Sequence, residues 1–125
     1  MLVDDEIILH HLIKRILKSA NWDVELKSAF DGNEALALID SFSPDLIILD
    51  VDLPKKTGIE VCRKVRDKQP GSGVKILMIS GDSTPVQLEG AIEAGADDFL
   101  AKPFTSKELL QKINKVLPAF TEDKK

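Results

Sequence analysis

The sequence predicts an α/β fold in which helices cover both faces of a doubly wound parallel sheet. Short apolar runs rich in β-branched residues alternate along the chain with longer segments whose apolar residues recur at helical spacing. Strands that alternate with helices form βαβ units, which have parallel strands and right-handed crossovers. Two runs, Leu46–Leu49 and Val74–Ile79, are apolar at nearly every position, as expected for strands buried on both faces.

The strands are predicted from these runs. Four of them have the composition of ordinary strands: Val24–Ala29, Leu46–Leu49, Val74–Ile79 and Phe99–Leu100. Met1-Leu2-Val3 is very short, but the acidic pair that follows it stands where a strand should end. We therefore expect a short or truncated first strand.

The first two helices are predicted from apolar spacing and capping residues. The first runs from about Glu6 to Ala20, and five apolar residues are expected to form its inner stripe: Ile8, Leu12, Ile16, Ile13 and Leu17. The second opens at Asp31, which can cap it, with Glu34 three residues later. It ends near Ser41, before Pro44.

Three further helices follow. The third runs from Gly58 to Lys68 and is stopped by Pro70-Gly71, and the fourth follows Ser83-Thr84-Pro85 and ends at Ala94-Gly95. The fifth begins with the capping-box pattern Thr105-Ser106-Lys107-Glu108. It is predicted to present Leu109, Ile113 and Val116 inward and to end before Pro118, leaving a polar, frayed tail.

Composition limits the class of protein. The chain has 125 residues, enough for one domain, and its net charge of −4 comes with no Lys/Arg block that would favour nucleic acid or an anionic membrane. The single cysteine, Cys62, excludes an internal disulfide and falls in an apolar pattern, so we interpret it as a core residue. We find neither a signal peptide nor a membrane-spanning run, and we expect a cytoplasmic protein.

Polar residues follow the apolar runs where strands should end. In order along the chain they are Asp4-Asp5, Asp50, Ser80-Gly81 and Lys102-Pro103. Each alone is ordinary, because aspartate, Ser-Gly and Lys-Pro are common in turns and caps. In an open α/β sheet, however, the carboxyl ends of the strands meet at one edge, and ligands bind there. The sequence therefore predicts one site with three carboxylates, a hydroxyl and an ammonium.

This group of residues predicts Mg²⁺ binding and phosphoryl chemistry. Three neighbouring carboxylates repel one another, and their hard oxygen ligands suit Mg²⁺ better than zinc. A bound cation would leave one carboxylate oxygen free to attack phosphorus. The Lys102 ammonium and the Ser80 hydroxyl would then stabilise the phosphoryl oxygens.

Together these motifs resemble the receiver domain of two-component response regulators. The segments that carry the resemblance are Leu2–Glu6, Pro44–Asp50, Leu53-Pro54 with Gly58, Ile79-Ser80-Gly81 and Gly95–Phe104. The resemblance covers essentially the whole chain and implies a chemotaxis-regulator-like (flavodoxin-like) fold with strand order 2-1-3-4-5 and five helices. It also implies one receiver domain over residues 1–125, with residues 119–125 as a frayed tail.

The resemblance assigns the acceptor and the metal ligands. Asp50 stands at the phosphorylated aspartate. Asp5 resembles the residue that coordinates Mg²⁺ directly, Asp4 assists through water or hydrogen bonds, and the backbone carbonyl of Asp52 resembles the third protein ligand.

The resemblance also implies a switch. Ser80 stands at the hydroxyl that moves toward the phosphoryl group, and Phe99 stands at the aromatic position whose rotamer reports the active state. Lys102 resembles the family's lysine, which is followed by a proline that is usually cis. The surface expected to change is formed by the fourth helix, fifth strand and fifth helix.

Some positions depart from the family's pattern. Asp52 and Asp82 are carboxylates bordering the phosphoryl site, where the former position often holds a neutral residue, so the phosphoryl lifetime is expected to differ from that of a typical member. Lys55-Lys56-Thr57 replaces the usual Gly-x-Asp before Gly58. The change alters the loop without removing a catalytic group.

Other side chains carry weaker signals. His10 and His11 are adjacent on a helix and point about 100° apart, so they cannot share a metal, and we interpret them as ordinary helix residues. Trp22 is interpreted as loop packing. Three lysines of the last helix are interpreted as a solvated face, although a partner surface is also open: Lys107, Lys112 and Lys115.

Two rival functions have some support in the same residues. Asp50-Val51-Asp52 resembles the Asp-x-Asp core of haloacid-dehalogenase phosphatases, but that motif belongs at the end of the first strand. A receiver-like scaffold that is never phosphorylated conflicts with the complete set of acceptor-site residues. Neither a dinucleotide-binding turn nor a Walker A loop supports nucleotide binding.

The resemblance implies partners as well. The phosphodonor would be a histidine kinase or a phosphotransfer protein, and the signal would pass to an output domain or target protein that the sequence does not identify. Homodimer formation stays open, and neither direct nucleic-acid binding nor membrane association is expected. The chain is expected to be a signalling receiver, not an enzyme, although it assists its own phosphotransfer and autodephosphorylation.

Overall fold

A computed structural model describes residues 1–22, 24–53, 56–68, 73–81 and 84–118. They form a parallel sheet of five strands in the order β2-β1-β3-β4-β5. The strands are β1 (Leu2–Val3), β2 (Ser28–Ala29), β3 (Leu46–Asp50), β4 (Lys75–Ser80) and β5 (Asp98–Ala101). The helices are α1 (Ile7–Ser19), α2 (Gly32–Ser41), α3 (Gly58–Lys68), α4 (Pro85–Glu93) and α5 (Ser106–Val116). The predicted fold class, strand order and short first strand are confirmed.

Each face of the sheet has its own apolar core, as alternation along buried strands requires. On β3, Ile47 and Leu49 face the core that also contains Ala35 of α2 and Val61 of α3. Their neighbour Ile48 faces the other core, which contains the buried residues of α1 and α5. Cys62 is buried in the first core, as predicted.

Side-chain caps fix where four helices begin, and at α3 the Thr57 hydroxyl accepts a hydrogen bond from the Glu60 N–H at 3.2 Å. The Asp31 carboxylate accepts a hydrogen bond from the Glu34 N–H at 2.8 Å, and the Thr84 hydroxyl accepts one from the Gln87 N–H at 3.3 Å. At α5, Thr105 and Glu108 form the predicted reciprocal capping box. These caps satisfy backbone donors that have no partner within the helix. They place the loops at the carboxyl edge of the sheet.

Two predictions about local structure were wrong. The strand predicted over Val24–Ala29 contains only Ser28–Ala29, because β1 offers only Leu2 and Val3 for pairing. On α1, Ile8 and Leu12 are 77% and 42% exposed, although both were expected to face inward.

The buried face of α1 is instead formed by His10, Ile13, Ile16 and Leu17. Apolar residues surround much of this helix, so their spacing alone does not determine which face is buried. The packing of α1 against the sheet determines it.

Several predictions lie outside the described residues. They concern the stop at Pro70-Gly71, the loop residues Pro54 and Lys55, the acidic Asp82 and the tail from residue 119. Within the described ranges, no helix combines the length and apolar character needed to cross a bilayer.

Candidate functional site

The carboxyl ends of four strands bring the predicted polar residues to one edge of the sheet. Asp4 follows β1, Asp50 ends β3, Ser80 ends β4 and Lys102 follows β5. The backbone ties these ends together, since the Lys102 N–H donates to the Ser80 carbonyl at 2.8 Å. The edge is therefore a continuation of the parallel sheet and not a set of independent loops.

Three carboxylates meet at this edge. One oxygen each from Asp4, Asp5 and Asp50 lies within 4.8 Å of the others. Asp4 is 0% exposed and Asp50 is 3% exposed, whereas Asp5 is open to solvent. A small divalent cation fits this donor set, because it would neutralise buried negative charge while keeping water ligands on the open side.

Lys102 balances part of this charge. Its ammonium lies 3.1 Å from Asp4 Oδ2, 3.4 Å from Asp50 Oδ2 and 3.8 Å from Glu6 Oε1. Glu6 was not predicted to contact the site, because its place at the start of a helix suggested only helix initiation. One lysine facing three carboxylates leaves the cluster negative and favours an added cation.

The buried charges change the acidities of both partners. Burial raises the pKa of Asp50 to about 6, and the neighbouring Asp4 charge raises it as well, while the Asp52 N–H and Lys102 act in the opposite direction. Burial lowers the pKa of Lys102, but the carboxylates of Asp50 and Asp4 outweigh burial and hold that pKa above its usual value. Lys102 therefore keeps its positive charge, whereas ionising the buried Asp50 carboxyl costs free energy.

The backbone around Asp50 is held closely. Asp50 Oδ1 accepts a hydrogen bond from the Asp52 N–H at 3.1 Å, and the Gly58 N–H donates to the Val51 carbonyl at 2.8 Å. A Cβ at Gly58 would lie 2.2 Å from the Asp50 carbonyl oxygen, a distance that no side chain tolerates. Gly58 therefore allows α3 to approach β3, and the Asp52 side chain is exposed beside it.

Asp4 is fixed from several directions. Its N–H donates to the Ala29 carbonyl at 3.1 Å, its Oδ1 accepts the Glu6 N–H at 2.8 Å, and its carbonyl contacts His10 Nε2 at 2.8 Å. We interpreted His10 as an ordinary helix residue, and it lies in α1 as expected, but its burial and its contact with Asp4 were not predicted. Its spacing from Ile13 and Leu17 places it on the buried face, which is the signal that could have identified it.

The remaining predicted residues lie on the β4–β5 side. Ser80 is fully buried at the end of β4, and Phe99 is half-buried against the core. The peptide bond between Lys102 and Pro103 is cis, as the resemblance implied. Trp22 packs against the core beneath α1, in agreement with its interpretation as loop packing.

Comparison with known proteins identifies the class. The response regulator receiver domain family matches residues 1–114, and the chain belongs to that family. It is therefore the receiver domain of a response regulator in a two-component system, a signalling protein. The comparisons do not support the haloacid-dehalogenase phosphatase alternative.

Individual relatives agree with this assignment. The chain is 38% identical over 123 residues to the response regulator MprA of Mycolicibacterium vanbaalenii, a match that covers 98% of the chain and 52% of MprA. It is 38% identical over 117 residues to the transcriptional regulatory protein TrcR of Mycobacterium tuberculosis, covering 94% of the chain and 44% of TrcR. The chain thus spans about half the length of these curated relatives.

Solved structures show the same fold. The chemotaxis protein CheY4 of Vibrio cholerae superposes with a TM-score of 0.84 at 34% identity, covering 93% of this chain and 95% of CheY4. A CheY-like receiver domain protein of Methanospirillum hungatei also gives 0.84, at 29% identity, and covers 98% of this chain and 94% of that protein.

Proposed function

We propose that Asp50 accepts a phosphoryl group from a phosphohistidine of a histidine kinase or phosphotransfer protein. A carboxylate oxygen of Asp50 forms the new O–P bond while the P–N bond of the donor breaks and its electron pair returns to the imidazole. The observation that carries the proposal is the buried Asp50 carboxylate, which shares a lysine and an acidic cluster open to solvent on one side.

Asp4, Asp5, Asp50 and the backbone carbonyl of Asp52 would hold Mg²⁺. When bound, the cation supplies positive charge against the approaching phosphoryl oxygens. Lys102 offers a second positive charge, and its ammonium lies 3.4 Å from Asp50 Oδ2. Ser80, buried at the end of the adjacent strand, would donate its hydroxyl to a phosphoryl oxygen.

Labelling with a small phosphodonor tests the acceptor. Wild-type protein in Mg²⁺ and phosphoramidate should gain one phosphoryl group, and Asp50→Asn should gain none. Asp52→Asn is the matched control, because it removes a carboxylate two residues away and should still be labelled. Wild-type label in Asp50→Asn, or turnover of a generic phosphate ester by the wild type, would contradict the proposal.

Phosphorylation is proposed to act on the surface formed by α4, β5 and α5. Phosphoryl oxygens would draw the Ser80 hydroxyl toward Asp50 and leave space that the half-buried Phe99 ring can occupy. Beryllofluoride, which mimics the phosphoryl group, should then shift NMR signals from about Thr84 to Leu109. Shifts confined to the loop after Asp50 would contradict this route.

A further inference from the structure

His10 is a buried polar side chain in the first turn of α1, close to the three carboxylates of Asp4, Asp5 and Asp50. It is 6% exposed, and both ring nitrogens have partners: Nε2 lies 2.8 Å from the Asp4 carbonyl oxygen and Nδ1 lies 2.9 Å from the Ser28 hydroxyl. The Phe30 ring stacks on the imidazole with a centroid distance of 4.3 Å. The imidazole is thus fixed at both nitrogens and on one face.

The partners determine the direction of these hydrogen bonds. A carbonyl oxygen can only accept, so Nε2 carries a proton and donates to Asp4. In the Nε2–H tautomer, Nδ1 is left as an acceptor for the Ser28 hydroxyl proton. His10, a residue of α1, therefore links the loop after β1 to β2 by two hydrogen bonds.

The bond to Asp4 has a consequence for Asp5. The Asp4 carbonyl and the Asp5 N–H belong to one planar peptide unit, so fixing the carbonyl fixes the start of Asp5. Asp5 lies after β1, where no strand pairing holds it, and α1 has no side-chain cap from Glu6. Within the described residues, His10 is the side chain that bonds to this peptide unit through the Asp4 carbonyl.

We propose that His10 is a positioning residue for Mg²⁺: its Nε2–H holds the Asp4–Asp5 peptide so that the Asp5 carboxylate points into the cluster. This inference rests on the proposed function, because it takes the three carboxylates to be a Mg²⁺ site. Partners that orient metal ligands without contacting the metal change affinity by about 10- to 100-fold when they are removed.

Two amide substitutions separate the hydrogen bond from the bulk of the side chain. The amide nitrogen of glutamine reaches about as far as Nε2, whereas that of asparagine stops near Nδ1. We expect His10→Asn to weaken Mg²⁺ binding about tenfold by calorimetry and His10→Gln to stay within about threefold of wild type. His11→Asn, at the exposed neighbouring position, is the matched control and should bind Mg²⁺ as wild type does.

Further readouts distinguish positioning from general stability. His10→Asn should regain the wild-type rate of phosphoramidate labelling at saturating Mg²⁺, because only metal affinity has changed. A labelling defect that persists at saturating Mg²⁺, or equal weakening by asparagine and glutamine, would overturn the proposal. In the wild type, ring ¹⁵N shifts should show the Nε2–H tautomer, and an Nδ1–H tautomer would overturn it even if a variant failed to fold.

The outcomes for the two proposals differ. Wild-type protein that neither binds Mg²⁺ nor is labelled would contradict the proposed function itself. Wild-type protein that does both, together with an unchanged Mg²⁺ affinity in His10→Asn, would contradict the role of His10 alone.

Discussion

Two clusters of charge lie at opposite ends of β5 and differ in composition. At the acceptor site, Lys102 is shared by Asp4 and Asp50. Between β5 and α5 the ratio is reversed, since Asp98 is contacted by Lys112 at 3.1 Å and by Lys115 at 3.3 Å. The cluster around Lys102 has fewer cations than carboxylates, and the cluster around Asp98 has more cations than carboxylates.

The acidities follow this ratio. Burial raises the pKa of Asp50 to about 6. Burial also raises the pKa of Asp98, but the Phe99 N–H and the two lysines outweigh burial and hold that pKa below its usual value. An acid whose charge is balanced by lysines of its own chain stabilises the fold, whereas an acid without that balance is available to a cation or, as we propose for Asp50, to a phosphoryl group. The contrast separates a structural charge cluster from a reactive one.

The largest expected effect is on metal affinity. Asp5→Ala should weaken Mg²⁺ binding about a hundredfold, at the top of the range for residues that only orient a ligand and about ten times the effect expected of His10→Asn. Without metal, the same variant should be more stable than wild type, because repulsion among the carboxylates is relieved. Asp98→Ala is the control and should leave the Mg²⁺ affinity unchanged by calorimetry. A metal-free Asp5→Ala protein that melts below wild type would refute the repulsion.

A smaller effect is expected from pH. With a pKa of about 6, Asp50 is mostly ionised at pH 7 and mostly protonated at pH 5. Protons then compete with the cation, and the apparent Mg²⁺ affinity should fall about tenfold between pH 7 and pH 5. Calorimetric titrations at both pH values check this, and an affinity independent of pH would mean that Asp50 remains ionised throughout.

Stability should respond with opposite signs in the two clusters. The pKa of Asp50 rises from 3.8 to about 6 on folding, so this group favours folding below pH 4, and that contribution is lost as pH rises through 6. Asp50→Asn should therefore raise the metal-free free energy of unfolding by about 1 kcal/mol at pH 7. Asp98→Asn should lower it by about 1 kcal/mol or less, since its partner lysines are partly exposed to solvent.

Urea denaturation of both variants at pH 7 measures these changes. The gain in Asp50→Asn should shrink as pH falls through 6 toward 3, because the wild-type carboxyl becomes protonated in both states only below its unfolded pKa of 3.8. Destabilisation by both substitutions would show that the two clusters are equivalent, and the contrast between them would fail.

The smallest expected effect concerns Asp52, the exposed acid beside the acceptor. We expect its side chain to orient a water that attacks the phosphoryl group, so Asp52→Met should slow dephosphorylation in saturating Mg²⁺. We expect about threefold, below the roughly hundredfold contribution of a well-positioned general base. Equal rates would make Asp52 a surface residue, and a faster variant would mean that the carboxylate shields the acyl phosphate.

Much of this fold was predictable because strong local signals agree with it. The capping residues Asp31 and Thr105 predicted where α2 and α5 begin, and the apolar run Leu46–Leu49 predicted a strand buried on both faces. The order of acidic, hydroxyl and lysine residues at strand ends predicted which side chains meet, because parallel strands end at one edge.

The errors came from features that depend on packing between elements. Ile8 and Leu12 have the spacing of a buried face, yet the way α1 docks on the sheet leaves both exposed. His10 bonds to Asp4 and Ser28, and no local pattern encodes a contact that joins a helix, a loop and a strand. The contact between Glu6 and Lys102 was not predicted for the same reason, because these two residues are far apart in the sequence and meet only in the folded protein.

Two glycines near Asp50 should differ greatly in how well they tolerate substitution. A Cβ at Gly81 would meet no described atom within 4 Å, whereas a Cβ at Gly58 would overlap the Asp50 carbonyl. Alanine is usually the mildest replacement for glycine, but at position 58 it would force α3 away from the acceptor strand. Among homologues aligned to this chain, position 81 should accept many residues, and position 58 should remain glycine even where the surrounding loop varies.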